Sequence, residues 1–407
     1  MNILFLSPWF PFPLENGSKI RIYNLIKNLS RHHDVRLISF IREGERIDSQ
    51  GLEGICNVEA TIPFQEFNPR SLKSIAGFLA PIPRSVVDCY SSQMAKQVEI
   101  SIKLHRPALI IASEIATALY GGRKWKIPCI LDEMQLGLNY QLHTNSSSYF
   151  SRARKEIYRY KLHTYTKYMV KQYDACTVAS EIEHRFVSNI LGRMGNIYVL
   201  PNGVDIDLNK PANVDIQPDT LIYQGALTFS ANLDAMSYFT TEIFPIVQRE
   251  VPQVVIRITG RNDGVDLSHL SLNENVKFTG FVPDIRSEVS RSWACVVPLR
   301  LGGGTRLKIL EAMALGTPVV ASSKAVEGLY VTPGYHVLIG DTPEDFAFQV
   351  IRLLKDEQLR DMLSRNGREL VEKNYAWIDI GTCFEQIIDS VMNDRKTANA
   401  NTIRFPE

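Results

Sequence analysis

The sequence predicts an α/β chain of two domains, each built on a parallel sheet covered by helices on both faces. Three observations predict it. Continuous apolar runs of strand length alternate with helix-period stretches, the pattern of strands buried on both sides. The length of 407 residues suits more than one domain of ordinary size. The charge is divided: residues 1–200 hold 25 Lys and Arg against 17 Asp and Glu, a net +8, while the rest is acidic enough to leave a total of +1.

The elements follow in order. Asn2 to Ser7 is a short apolar run, followed by a loop with Pro8, Pro11, Pro13 and Gly17. Ile22, Leu25, Ile26 and Leu29 then fall on one helical face, and 35–41 reads as a second strand. Buried-strand runs recur at 108–111, 129–131, 175–178 and 197–200. Pro201-Asn-Gly-Val-Asp205 is turn chemistry ahead of a polar stretch, so the boundary falls there. The domains are expected at 1–203 and 204–375. In the second, strands are expected at 221–225, 254–258, 276–278, 294–297 and 318–321, with helical stripes such as Leu233, Met236, Phe239 and Leu307, Leu310, Ala314. A last helix, 376–393, is expected to cross back onto the first domain, with a disordered tail from Asn393.

Composition excludes several classes. Apolar residues at 45% and charged residues at 22% rule out a disordered chain, a collagen-like fibre and a coiled-coil rod. The near-zero total charge argues against a nucleic-acid binder. Cys56, Cys89, Cys129, Cys176, Cys295 and Cys383 form no C-x-x-C pair, so neither a disulfide framework nor a zinc site is expected. No apolar run reaches the ~18 residues of a membrane span. The expected location is cytoplasmic.

The stretch most able to carry chemistry runs from Pro298 to Val320. Gly302, Gly303 and Gly304 end a strand-side loop and open a helix, letting backbone N–H groups approach an anion at a helix N-terminus. Arg306 and Lys308, read in the first turn, oppose the helix dipole by about 0.3–1 kcal/mol each, a cost that a bound phosphate offsets. Glu311, farther in, can accept two sugar hydroxyls. The plain alternative is a surface helix start with solvated charges.

This segment, with Leu-Glu-Ala-Met-Ala followed by Gly-Thr-Pro-Val-Val, resembles the donor-site signature of the retaining nucleotide-sugar glycosyltransferases of the GT-B fold, in the large family four group. Pro201-Asn-Gly-Val-Asp205, Phe278-Thr-Gly-Phe-Val282 and the N-terminal strand with its Pro/Gly loop carry the same resemblance. It covers nearly all the chain and is closest after residue 195. It implies two Rossmann-like domains facing across a cleft. The implied donor is a UDP- or GDP-sugar, the acceptor a glycan or a lipid-linked hydroxyl.

The resemblance implies that Glu311 holds the nucleotide ribose. The family's first glutamate would fall on Gly303, so the backbone of Gly303, Gly304 and Thr305 is expected to contact the sugar or diphosphate. The family's Arg and Lys after the first strand of the second domain are missing from Gly225–Asn232. Arg306, Lys308 and Arg261 are the expected substitutes, and Val282 belongs to the same donor-side set. Gly17, in the first βα loop, is expected to approach the diphosphate or acceptor, with a simple turn glycine as the alternative.

Asp132 and Glu133 follow a strand, and one of them is expected to orient the acceptor hydroxyl or the transferred sugar; a helix cap is the alternative. Glu114 makes a weaker claim of the same kind. Asp205-Ile-Asp207 matches a D-x-D metal motif formally but lies in the interdomain linker, and no metal or cofactor is expected. His32-His33 reads as a solvated helix end, and no partner can be named for His143 or His163. Residues 149–173 set seven cations against Glu156. That run reads first as a solvated helix face, with peripheral contact to anionic lipid as the alternative. Ser71 to Leu79 is a candidate acceptor-side flap. Rival readings are a GT-B sugar-nucleotide epimerase or hydrolase and a non-catalytic nucleotide-sugar binder.

Overall fold

A computed structural model describes residues 1–45, 47–133, 149–191, 196–211 and 214–402. The chain divides into two units, Met1–Pro201 with Ile380–Glu407, and Asn202–Asp379.

The first unit contains β1 (Asn2–Ser7), α1 (Gly17–Leu29), β2 (Asp34–Ile41), β3 (Asn57–Pro63), α2 (Leu72–Ala76), α3 (Arg84–Asp88) and α4 (Ser92–His105). It continues with β4 (Leu109–Ser113), α5 (Glu114–Thr117), β5 (Cys129–Asp132), α6 (Tyr149–Lys171), β6 (Ala175–Val178), α7 (Glu181–Leu191) and β7 (Ile197–Val199). The strands form one parallel sheet in the order β3-β2-β1-β4-β5-β6-β7. Helices cover both faces, so β1, β4 and β5 are buried along nearly their whole length. This is why they read as unbroken apolar runs rather than alternating ones.

The second unit contains β8 (Gln217–Gln224), α8 (Ser230–Tyr238), a π-turn at Phe239–Ile243, α9 (Phe244–Glu250), β9 (Val255–Thr259), β10 (Val276–Gly280), α10 (Ile285–Ser290) and β11 (Ser292–Val297). Then follow α11 (Leu307–Ala314), β12 (Val319–Ala321), β13 (Leu338–Ile339), α12 (Pro343–Lys355) and α13 (Glu357–Asn374). Its sheet is also parallel, ordered β10-β9-β8-β11-β12-β13. In each unit the strand order reverses beside the first strand, between β1 and β4 and between β8 and β11. In doubly wound sheets ligands bind at this reversal, outside the carboxyl ends of the strands. Both units are Rossmann-like.

The last helix, α14 (Trp377–Thr402), is longer than the sequence suggested. The helix continues past Asn393, where a disordered tail was expected, and Arg395 makes bidentate hydrogen bonds to Asp174 at 2.9–3.1 Å. That buried-side anchor lies some 220 residues upstream and is invisible to local sequence reading. His33 likewise is no solvated helix end: its Nε2 lies 2.8 Å from the Glu385 carboxylate on α14. Gly381 sits so close to Asn28 that a Cβ there would lie 2.5 Å from the Asn28 side chain.

Candidate functional site

In the second unit, the loop after β11 reaches α11 through Gly302 and Gly304, both at positive φ (+95° and +78°), which glycine adopts without a Cβ penalty. Arg306 stands at the N-cap of α11, with φ −86° and ψ 81°, and not in the first turn. Its guanidinium turns back onto the loop: Nη1 donates to the Gly303 carbonyl at 2.5 Å and Nη2 to the Leu301 carbonyl at 3.4 Å. The Nε of Arg306 is buried without a hydrogen-bond partner. Burial holds the Arg306 pKa below its ordinary value. The glycine loop is thus stapled by the cation that follows it.

Lys308 points from α11 toward the end of β8. Its Nζ donates to the Tyr223 hydroxyl at 2.9 Å and to Asn232 Oδ1 at 3.1 Å, and lies 4.0 Å from the Tyr223 ring centre. A Cβ on Gly225 would meet Nζ at 2.8 Å, and a Cβ on Gly260 would meet the Gly225 carbonyl at 2.6 Å. Two glycines at positive φ therefore open the space that the lysine enters. Burial pushes the Lys308 ammonium down to about 7. The cation missing from the β8 loop in the sequence is delivered there by α11. Tyr223 and Asn232 were not among the expected residues; Asn232 lies in the stretch searched only for Arg and Lys.

Glu311, one turn beyond Lys308, is half-buried, and its side-chain carboxylate accepts no hydrogen bond from any described residue. Burial raises its pKa, and the nearby Lys308 charge opposes the rise. Gln224 adds a second open acceptor: its Nε2 donates to the Lys308 carbonyl at 2.7 Å, while its Oε1 is buried without a partner. Thr305 Oγ1 accepts from Asn202 Nδ2 at 3.3 Å, so the Pro-Asn-Gly turn and the glycine loop touch. Gly303 is half-buried and Gly304 exposed. Arg261 follows β9, is exposed, and lies 5.4 Å over the Phe281 ring. Val282, half-buried, follows Phe281 after β10. The structure thus brings Gly303 to Lys308 and Glu311 together around β8 and β11, with Arg261 and Val282 at the ends of the two neighbouring strands.

In the first unit, Gly17 is the first residue of α1 rather than a loop residue; the preceding Asn16 caps the helix, its Oδ1 accepting from the Lys19 amide at 3.0 Å. Asp132 ends β5 fully buried. Arg21 Nη2 and Nε donate to its two oxygens at 2.6 and 3.0 Å, and Thr177 adds a third bond at 2.7 Å. The Arg21 Nη1 group also donates to the Leu200 carbonyl at 3.0 Å. Both Asp132 oxygens are engaged, and the carboxylate ties Arg21 to the ends of β5, β6 and β7. Glu133 and Glu114 flank it in the left-handed backbone region (φ +50° and +59°), conformations that cost non-glycine residues about 1–3 kcal/mol and cluster at functional sites.

The D-x-D pair is a local turn: Asp205 Oδ1 accepts from the amides of Asp207 and Leu208 at 3.2 and 2.9 Å. Among the described residues no group of three or more His, Cys, Asp or Glu side chains is gathered as for a metal. His143 and the run 134–148 lie outside the described residues. The pKa of His163, on α6, is lowered by burial and by Lys167. No described helix is long and apolar enough to cross a membrane.

The family description "Glycosyltransferase Family 4" fits residues 15–208 and "Glycosyl transferases group 1" fits residues 218–356. An uncharacterised glycosyltransferase of Methanocaldococcus jannaschii is 27% identical over 237 residues, covering 51% of this chain and 58% of the relative. A phosphatidyl-myo-inositol mannosyltransferase of Mycobacterium leprae is 26% identical over 227 residues, covering 52% of this chain and 58% of the relative. The chain thus spans less than two thirds of the length of either relative. Among solved structures, the Anabaena HepE protein in complex with UDP and glucose matches with a TM-score of 0.62 at 18% identity, over 96% of this chain and all of that one, a likeness of fold. Two matching family descriptions, one on each Rossmann-like unit, identify the chain as a member of the group 1, family 4 glycosyltransferases.

Proposed function

We propose that the protein transfers a sugar from a UDP- or GDP-sugar to an acceptor hydroxyl, with retention at the anomeric carbon. The observation that carries this reading is the convergence of Lys308, Glu311 and the glycine loop on the strand-order reversal between β8 and β11. Glu311 accepts the ribose hydroxyls. Lys308 and Arg306, with Arg261 beside them, and the N–H groups of Gly303, Gly304 and Thr305 receive the negative charge that grows on the departing diphosphate. Fixed charges placed where charge develops are commonly the largest catalytic contribution. Asp132 acts by holding Arg21 and the strand ends on the acceptor side, near Gly17 and α1. The HepE structure, holding UDP and glucose, supports this donor class.

The acceptor side suits a glycan or lipid-linked hydroxyl. Leu72 (86% exposed) and Leu79 (94% exposed), with Ile75 and Phe78, present bare apolar side chains around α2, and Ile157 and Tyr160 do so on the cationic α6. Lys161 ties the two, donating to the Phe78 carbonyl at 2.7 Å. An apolar tip set among Arg70, Lys73, Arg84 and Lys161 matches the interface of an anionic membrane. The implied location is cytoplasmic, peripheral to a membrane.

Calorimetric titration with UDP and GDP, then a panel of nucleotide sugars, tests the donor reading. Glu311→Gln should weaken nucleotide binding about 10-fold or more, the loss of one charged hydrogen bond; unchanged affinity would sink the ribose assignment. Turnover of donor without any acceptor would favour an epimerase or hydrolase, and binding without turnover a non-catalytic partner.

A further inference from the structure

The glycine loop after β11 offers a bound sugar many hydrogen-bond donors and few acceptors. Gly302, Gly303 and Gly304 bring no functional side chains, and Arg306 takes up the Gly303 and Leu301 carbonyls. The Thr305 hydroxyl already accepts from Asn202 Nδ2 at 3.3 Å. Backbone N–H groups, a guanidinium and an ammonium can only donate. A sugar hydroxyl donates as well as accepts, so its recognition calls for an acceptor that the loop itself does not offer. Glu311 is already assigned to the ribose.

The neighbouring strand end supplies one. β12 lies beside β11, with Ala321 paired to Val297. The turn after β12 is tied to the start of the glycine loop: the Ser322 amide donates to the Val297 carbonyl at 3.2 Å, and its hydroxyl donates to the Leu299 carbonyl at 2.5 Å. On the other side Ser323 donates through its amide and its hydroxyl to the Asp341 carboxylate at 2.8 and 2.7 Å. Ala325 is fully buried, and its amide donates to Ser322 Oγ at 3.1 Å. This fixed turn carries Glu327. One Glu327 oxygen accepts from Lys324 Nζ, and the other accepts from no described residue. The side chain is 42% exposed, so a ligand can reach the carboxylate. Burial lowers the Arg306 pKa, and the charges of Tyr223 and Glu327 oppose that fall. Glu327 therefore shares the strand ends of the glycine loop, close enough for its charge to act on the cation that staples it.

We propose that Glu327 selects the sugar of the donor: its open oxygen accepts a hydroxyl of a neutral hexosyl group, and its charge rejects donors whose sugar carries a carboxylate. The inference rests on the proposed glycosyl transfer and adds to it the class of sugar transferred. Lys324 holds the carboxylate in place through one oxygen and leaves the other for the ligand. Like charges set together at a binding site oppose association, which is how a single carboxylate separates a hexose from the corresponding uronate.

The test is calorimetric titration of the full chain with UDP, UDP-glucose and UDP-glucuronate, and with GDP, GDP-mannose and GDP-mannuronate. With the nucleotide it accepts, the unmodified chain should bind the neutral donor about 10-fold or more tightly than the uronate. Glu327→Ala should weaken the neutral donor about 10-fold, with UDP or GDP affinity within about twofold of the unmodified chain. Glu327→Lys should reverse the order and place the uronate above the neutral donor. A residue that only shapes the turn would move diphosphate and both donors together, so that pattern overturns the inference. Unaltered neutral-donor affinity in Glu327→Ala overturns it too, as does equal binding of hexose and uronate donors by the unmodified chain. In each of these cases UDP or GDP still binds and the transfer reading stands. Absence of both UDP and GDP binding by the unmodified chain overturns the transfer reading, and this inference with it.

Discussion

The Lys308 ammonium on α11 donates to the Tyr223 hydroxyl on β8 at 2.9 Å, across 85 residues of sequence. The bond carries a cation into the space left by Gly225, where the sequence supplies no Arg or Lys of its own. It also makes the donor side sensitive to pH. Burial has pushed Lys308 down to about 7, so its charge, which the proposed function sets against a diphosphate, is present below that value and lost above it. UDP or GDP affinity, measured by calorimetry between pH 6 and 8.5, is expected to fall as pH rises. Lys308→Met should flatten the profile at the weak end, about 10-fold or more below the acidic wild-type value.

The Arg21–Asp132 pair is a stability element. Both side chains are fully buried, so removing one strips the other of its shortest charged partner and leaves Arg21 only the more distant Glu133 carboxylate at 3.4 Å. Asp132→Ala should lose about 3–5 kcal/mol in urea unfolding. The double variant Arg21→Met, Asp132→Ala should recover a large part of that loss. Equal losses in the single and double variants would show that the pair is not the source.

Gly260 permits the approach of the β9 turn to the β8 turn. A Cβ there would lie 2.6 Å from the Gly225 carbonyl, against backbone that cannot swing away. Gly260→Ala is expected to destabilise by about 1–3 kcal/mol and to weaken nucleotide binding by displacing the Lys308 pocket. Loss of stability with intact nucleotide affinity would separate the turn from the site.

The apolar tip around α2 should bind anionic vesicles. Co-sedimentation with phosphatidylglycerol-containing vesicles is expected to exceed that with phosphatidylcholine alone and to fall with added salt. Leu72→Ser with Leu79→Ser should abolish binding while leaving nucleotide affinity intact, because both side chains lie exposed. Equal sedimentation of the variant would remove the membrane assignment.

Much of the molecule is legible in the chain itself. Buried parallel strands need continuous apolar side chains, so β1, β4, β5, β6, β8, β9 and β11 each announce themselves locally. The short β13 and the half-buried β3 lack that signal and are not announced. The glycine loop and Glu311 are legible because backbone freedom and a helix start leave local marks. Lys308 shows as a charge near a helix end, but nothing local says that it turns to Tyr223. Asp132 shows as a polar residue at a strand end, but nothing local says that Arg21 consumes it.

The α/β class and the division into two units are legible in the chain, and the donor segment is proposed from it, because periodicity, turn chemistry and glycine conformations are local properties. Which charges are spent and which are open follows from packing alone. Asp132 is neutralised by Arg21, Lys308 is drawn to the β8 turn, and Glu114 is left with a bare buried oxygen. The reason is physical: the state of an ionisable group depends on its burial and on the charges around it, and packing brings those neighbours from far along the chain.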